Sequence, residues 1–86
     1  MWFVYILECS DESLYTGITN NIEKRLQDHR DNKGAKYMRG RSPFTLVYCE
    51  AFYNRSEASK REAKVKSLKR SQKLKLIEGK KDYASK

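Results

Sequence analysis

Arg25 and His29 stand one helical turn apart in the run LYTGITNNIEKRLQDH, on a stripe they share with Ile22 and Leu26. On a helical wheel the four fall within about 100° of arc, the width of one core-facing face. A second stripe, Ala58, Glu62 and Val65, carries a carboxylate in the same way. An unpaired charge among buried positions is expensive, so such groups pair, meet water in a cleft or bind a ligand. A guanidinium can grip a phosphate with two parallel hydrogen bonds, and a lone carboxylate suits a hard cation that keeps most of its waters. An imidazole or a phenol can move a proton. The plainer use of the same residues is an Arg25–Glu62 ion pair and a histidine bonded to a carbonyl.

The elements that must position these groups follow from patterning. Trp2 to Glu8 is a nearly unbroken apolar run rich in aromatic and β-branched residues, which reads as a buried strand. SDES at 10–13 is a turn, and Leu14 to Thr19 is a second short strand, so the two form a hairpin. Asn20, with Glu23 three residues on, reads as the cap of a helix from about Asn21 to Arg30. Residues 31–43 read as a long loop, and Phe44 to Phe52 as the third strand. Asn54 with Glu57 caps a second helix to about Lys69, and Ser71 opens a short third helix ending at Gly79. The expected fold is α+β, a three-stranded, mainly antiparallel sheet flanked by helices in the order β-β-α-β-α-α. Tyr5, Tyr15 and Gly17 share a face of that sheet only if Tyr5 pairs with an odd-numbered residue such as Gly17.

With 86 residues the chain is a single domain, 1–86, with an ordered core over about 2–78 and a basic tail at 79–86. The net charge of +8 is uneven: residues 1–59 are balanced, and residues 60–86 carry eleven basic side chains against three acidic ones. Such a skew suits a polyanion, most often nucleic acid or an anionic membrane, and its plainer reading is a solvated, lysine-rich helical face. No stretch has the length of a membrane span, and Cys9 and Cys49 lack zinc-site spacing. The expected location is intracellular and cytoplasmic.

Phe3-Val4-Tyr5, then Tyr15-Thr16-Gly17, then Arg25 and His29, then GAKYMRGRSPFTLVY at 34–48, then EASKREAKVKSL at 57–68 occur in an order that resembles the GIY-YIG nuclease superfamily, in particular its small stand-alone members. The resemblance covers roughly residues 2 to 78. It implies a metal-dependent endonuclease that hydrolyses phosphodiester bonds in nucleic acid, DNA in the first place, with one Mg²⁺ or Mn²⁺. Residue by residue it implies that Glu62 binds the metal, Arg25 grips the phosphate and Tyr5 acts as the base. Tyr15 or His29 orients the water or shares its proton, and Gly17 lets a phosphate approach. Lys33, Lys36, Arg39 and Arg41 around Tyr37, with Lys66 in the lysine-rich C-terminal region, are the candidate nucleic-acid contacts. No sequence-reading module is present, so cleavage would be directed by structure or by a protein partner that supplies targeting. The late asparagine of many family nucleases has no counterpart after Asn54. The alternative is therefore a nucleic-acid-binding module on the same fold with little or no cleavage.

Overall fold

The computed structural model describes residues 1–41 and 43–84, of which 80–84 by their backbone alone. Strand β1 (Trp2–Cys9) lies at the centre of the sheet, with β2 (Leu14–Thr19) on one side and β3 (Phe44–Phe52) on the other, both antiparallel to it. Helices α1 (Ile22–Arg30), α2 (Arg55–Lys66) and α3 (Arg70–Ala84) complete the expected β-β-α-β-α-α order. The central position explains the unbroken apolar run. Val4, Tyr5, Ile6 and Leu7 have no exposed surface, because helices cover both faces of the sheet.

The two faces bury different sets. Tyr5, Leu7, Cys9 and Met38 form one cluster, with Tyr15, Ile22, Leu26, Ala35 and Phe44 packed against it, so α1 and the loop after it cover this face. Ile6, Tyr48, Val65 and Ile77 form the other, beneath α2 and α3. The register meets the parity condition, since Tyr5 pairs with Gly17 and Leu7 with Tyr15. On the other side of β1 the pairing slips by one residue between Ile6 and Leu7, whose partners are Tyr48 and Leu46. This bulge turns Phe44 onto the α1 face, opposite Cys9. Cys49 faces Tyr5, so the two cysteines are not cross-strand partners.

Several boundaries differ from the sequence expectation, each for a local reason. The cap of α1 is Asn21 and not Asn20. Thr19 Oγ1 accepts the Asn21 N–H at 3.1 Å, which delays the turn, and Asn21 Oδ1 then accepts from the Lys24 N–H at 3.1 Å. Asn54 caps α2 as expected, accepting from the Glu57 N–H at 2.9 Å. That helix stops at Lys66, where the Ser67 hydroxyl donates to the Lys64 carbonyl at 2.7 Å. The third helix begins at Arg70, and the Gln72 side chain reaches back to the Lys69 N–H at 2.9 Å, half of a capping box. It does not end at Gly79 but runs on to Ala84, taking in most of the expected tail. One interior glycine costs about 1 kcal/mol, too little to break a helix of 15 residues. Residues 85 and 86 lie outside the described residues. The loop at 31–43 contains a 3₁₀ turn, Lys36–Met38, pinned by the buried Met38.

A candidate active site under helix α1

Tyr5, Tyr15, Arg25 and His29 come together on the α1 face. The Tyr5 hydroxyl lies 3.0 Å from His29 Nε2 and accepts from Arg25 Nε at 3.4 Å. The Tyr15 ring stands edge-on to His29, with centroids 5.5 Å apart, and tilts against Tyr5 at 6.2 Å. Phe44, brought over by the bulge, meets the other side of His29 edge-on at 6.0 Å. Gly17 makes the arrangement possible. A Cβ there would stand 2.7 Å from the Tyr5 hydroxyl oxygen and 3.0 Å from the Tyr15 ring, closer than real Cβ atoms tolerate without displacing a neighbour.

Electrostatics follow from burial. Loss of water pushes the Tyr5 phenol up to about 12, against the pull of the Arg25 guanidinium. The Tyr5 hydroxyl in turn holds Arg25 more firmly protonated, and Tyr15 influences both groups. Burial, aided by Arg25 and opposed by Asp28, lowers His29 below its ordinary value, so the imidazole is neutral at pH 7. Tyr5 and His29 have no exposed surface, whereas Tyr15 is half-buried. Tyr15 is thus the tyrosine on the solvent side.

The loop forms the outer wall. Tyr37 stacks on Tyr15 with centroids 5.7 Å apart, and the Arg41 guanidinium lies over the Tyr37 ring at 4.2 Å. Arg41 Nε also donates to the Tyr37 carbonyl at 2.7 Å, and its Nη1 pairs with Asp11 in the β1–β2 turn. Tyr37 is thus held by both Tyr15 and Arg41 while remaining exposed. Lys33, Lys36 and Arg39 are exposed. The Asp11–Arg41 link is a feature sequence reasoning missed, since nothing in SDES marks a partner for a loop 30 residues away.

Glu62 makes no hydrogen bond or ion pair with this group among the described residues. It belongs to α2, which packs on the opposite face of the sheet, and its Oε2 lies 3.2 Å from Lys66 Nζ. Among the described residues no three His, Cys, Asp or Glu side chains lie close enough to form a metal cage. A single, one-fifth exposed carboxylate fits a cation such as Mg²⁺, which needs one or two carboxylates and keeps several waters. A groove of about 300 Å³ at the β2 edge joins the faces: Trp2 and Ile18 come from the α2 side, Thr19 and Arg25 from the α1 side. Lys24 and Asp28 also line it, and Glu62 is not among its walls.

Residues 1–75 of the chain match the GIY-YIG catalytic domain. The chain belongs to the GIY-YIG family. A UPF0213 protein of Oceanobacillus iheyensis is 59% identical over 76 residues, 88% of each chain. Another, from Clostridium perfringens, is 59% identical over 80 residues, covering 93% of this chain and 86% of the relative. The solution NMR structure of a UPF0213 protein from Bacillus halodurans matches with a TM-score of 0.59 and 48% identity, over 91% of this chain and 84% of that one. A protein from E. faecalis, also solved by NMR, gives 0.64 and 42% identity over 90% and 82% of the two chains. The GIY-YIG fold is of the nuclease type, and nucleases of this family in general depend on a divalent metal. No helix among the described residues is long and apolar enough to cross a membrane.

Proposed function

We propose that this GIY-YIG protein is a metal-dependent endonuclease that hydrolyses phosphodiester bonds in nucleic acid, DNA in the first place, directed by structure rather than by a long sequence. The observation that carries the reading is the Tyr5 hydroxyl held between Arg25 Nε and His29 Nε2. Its family asks a tyrosine to act as base, and burial pushes this phenol up to about 12, away from ionisation at neutral pH. The arrangement supports a relay instead. Arg25 can only donate, so the Tyr5 proton is left for the neutral His29 Nε2. As a proton leaves the attacking water by way of Tyr15 and Tyr5, the Tyr5 proton passes to His29, and no free phenolate is required. Arg25 offsets negative charge growing on the phenol oxygen and on a phosphate in the adjoining groove.

Glu62 is the carboxylate that would hold the divalent ion, with water and phosphate oxygens as its other ligands. When bound, such an ion supplies Lewis-acid polarisation of the phosphate. Lys33, Lys36 and Arg39 are the exposed cations of the loop and would meet the nucleic-acid backbone, while Arg41 is held by Asp11 and Tyr37. Lys66 neutralises Glu62 and would be released to phosphate when a cation replaces it. Incubation with labelled single-stranded, duplex, flap and four-way-junction DNA and with RNA, in Mg²⁺, Mn²⁺ or EDTA, tests the reading. Metal-dependent cuts that vanish in Glu62→Ala are expected. Tight binding with no cutting on any substrate would replace it with the non-cleaving module.

A further inference from the structure

The ring of His29 has two nitrogens, and the relay uses one. The other, Nδ1, is buried without a hydrogen-bond partner among the described residues. What lies against it is the backbone of Gly34. A Cβ at position 34 would overlap Nδ1 and stand 2.8 Å from Cε1 and 3.1 Å from Cγ. The loop is held there by its own hydrogen bonds: the Lys33 and Gly34 N–H groups both donate to the Asp28 carbonyl, at 2.8 and 3.1 Å. Asn32, with φ of 57°, supplies the left-handed residue that folds the chain back onto the helix. Gly34 itself is not in the left-handed region, so alanine would suit its backbone. The three atoms nearest to such a Cβ all belong to the imidazole.

We infer that Gly34 is a positioning residue for His29: its bare Cα lets the loop lie on the Nδ1–Cε1 edge of the ring, shutting that edge off from water and holding Nε2 against the Tyr5 hydroxyl. The consequence for catalysis rests on the relay proposed above, while the contact itself does not. The groups that face His29 are Tyr5 from β1, Tyr15 from β2, Phe44 from β3, and Arg25 and Asp28 from its own helix. With the Tyr5 proton directed to Nε2, the ring's own hydrogen sits on Nδ1, where no acceptor among the described residues steadies a second charge. A methyl group at position 34 displaces the ring from its seat against the Tyr5 hydroxyl, and a shift of about 1 Å in such a group costs on the order of 100-fold in rate.

His29 is the only histidine in the chain, so its imidazole signals in NMR are unambiguous. In Gly34→Ala the His29 pKa is expected to rise toward the ordinary value of about 6.5. Cleavage falls on the order of 100-fold through kcat, with KM nearly unchanged. Gly40→Ala strains the same loop at a glycine of positive φ with open space around it, and leaves the His29 titration as it was. Adding Gly34→Ala to a His29→Ala background costs little stability, because the ring that excludes the methyl group is gone. A folded Gly34→Ala whose His29 titration overlays the wild type overturns the inference. So does a double variant less stable than His29→Ala by as much as Gly34→Ala is below the wild type. If the wild-type protein cuts no nucleic acid, the nuclease reading fails, and the His29 titration still decides the role of Gly34.

Discussion

At the scale of residues, the proposed chemistry turns on one hydroxyl. Tyr5→Phe removes the oxygen that His29 Nε2 and Arg25 Nε share, leaving the buried His29 Nε2 unpaired at about 1–3 kcal/mol, while the half-buried Arg25 turns to solvent. Cleavage should fall by about 10²–10⁴, the usual reach of a general acid–base group, while nucleic-acid binding by anisotropy holds. Gly17→Ala places a methyl group 2.7 Å from the same oxygen. It should cost about 1–3 kcal/mol by overpacking, read by denaturant melts, and lower cleavage as well. The pH profile should have an acid limb set by His29. Its folded pKa lies below the ordinary 6.5, and the relay needs it neutral, so the rate falls below that value and is flat across pH 7. The same shift links to stability: the contribution is complete above about 6.5 and is lost as pH falls toward the folded pKa. A rate that keeps rising through pH 8–9 would speak for ionisation of a tyrosine in place of the relay.

The elements show what could be read from the sequence and what could not. The hairpin register was legible only as a condition, that an odd-numbered partner for Tyr5 brings Tyr5, Tyr15 and Gly17 onto one face, and the pairing with Gly17 meets it. The turn after Arg25 put His29 beside it, since a helical period is fixed by geometry. The slip in β3 that turns Phe44 onto His29 was hidden, as Val47 looks like any other strand residue. Gly34 was visible only as a loop glycine just past a helix end, a signal for a helix terminus and not for contact with a particular ring. The side of the sheet that α2 takes, which sets Glu62 apart from the tyrosines, is a tertiary choice that no local pattern encodes. The Asp11–Arg41 pair belongs to this scale too. It is exposed, so Asp11→Ala should change stability by less than about 1 kcal/mol. It should also free Arg41 for phosphate and tighten nucleic-acid binding several-fold in low salt; weaker binding would mean that the latched loop is the binding form.

For the whole molecule, charge and fold give different kinds of information. The GIY-YIG fold says where chemistry would occur, on a sheet face walled by α1 and the loop. The excess of positive charge beyond residue 60 suits a polyanionic partner and says nothing of the bond cut. Binding should weaken linearly in log–log form with salt, and Lys33→Glu with Lys36→Glu should lower the slope by more than one unit, about 0.7–0.9 for each phosphate that is no longer neutralised. The central claim is that the Tyr5 hydroxyl moves the proton. The most direct test is the cleavage rate of wild type and Tyr5→Phe, side by side on the best substrate in Mg²⁺, with both proteins shown to be folded and to bind equally. A loss of at least about 100-fold with binding intact is the predicted result. A folded Tyr5→Phe that cuts at the wild-type rate would contradict it.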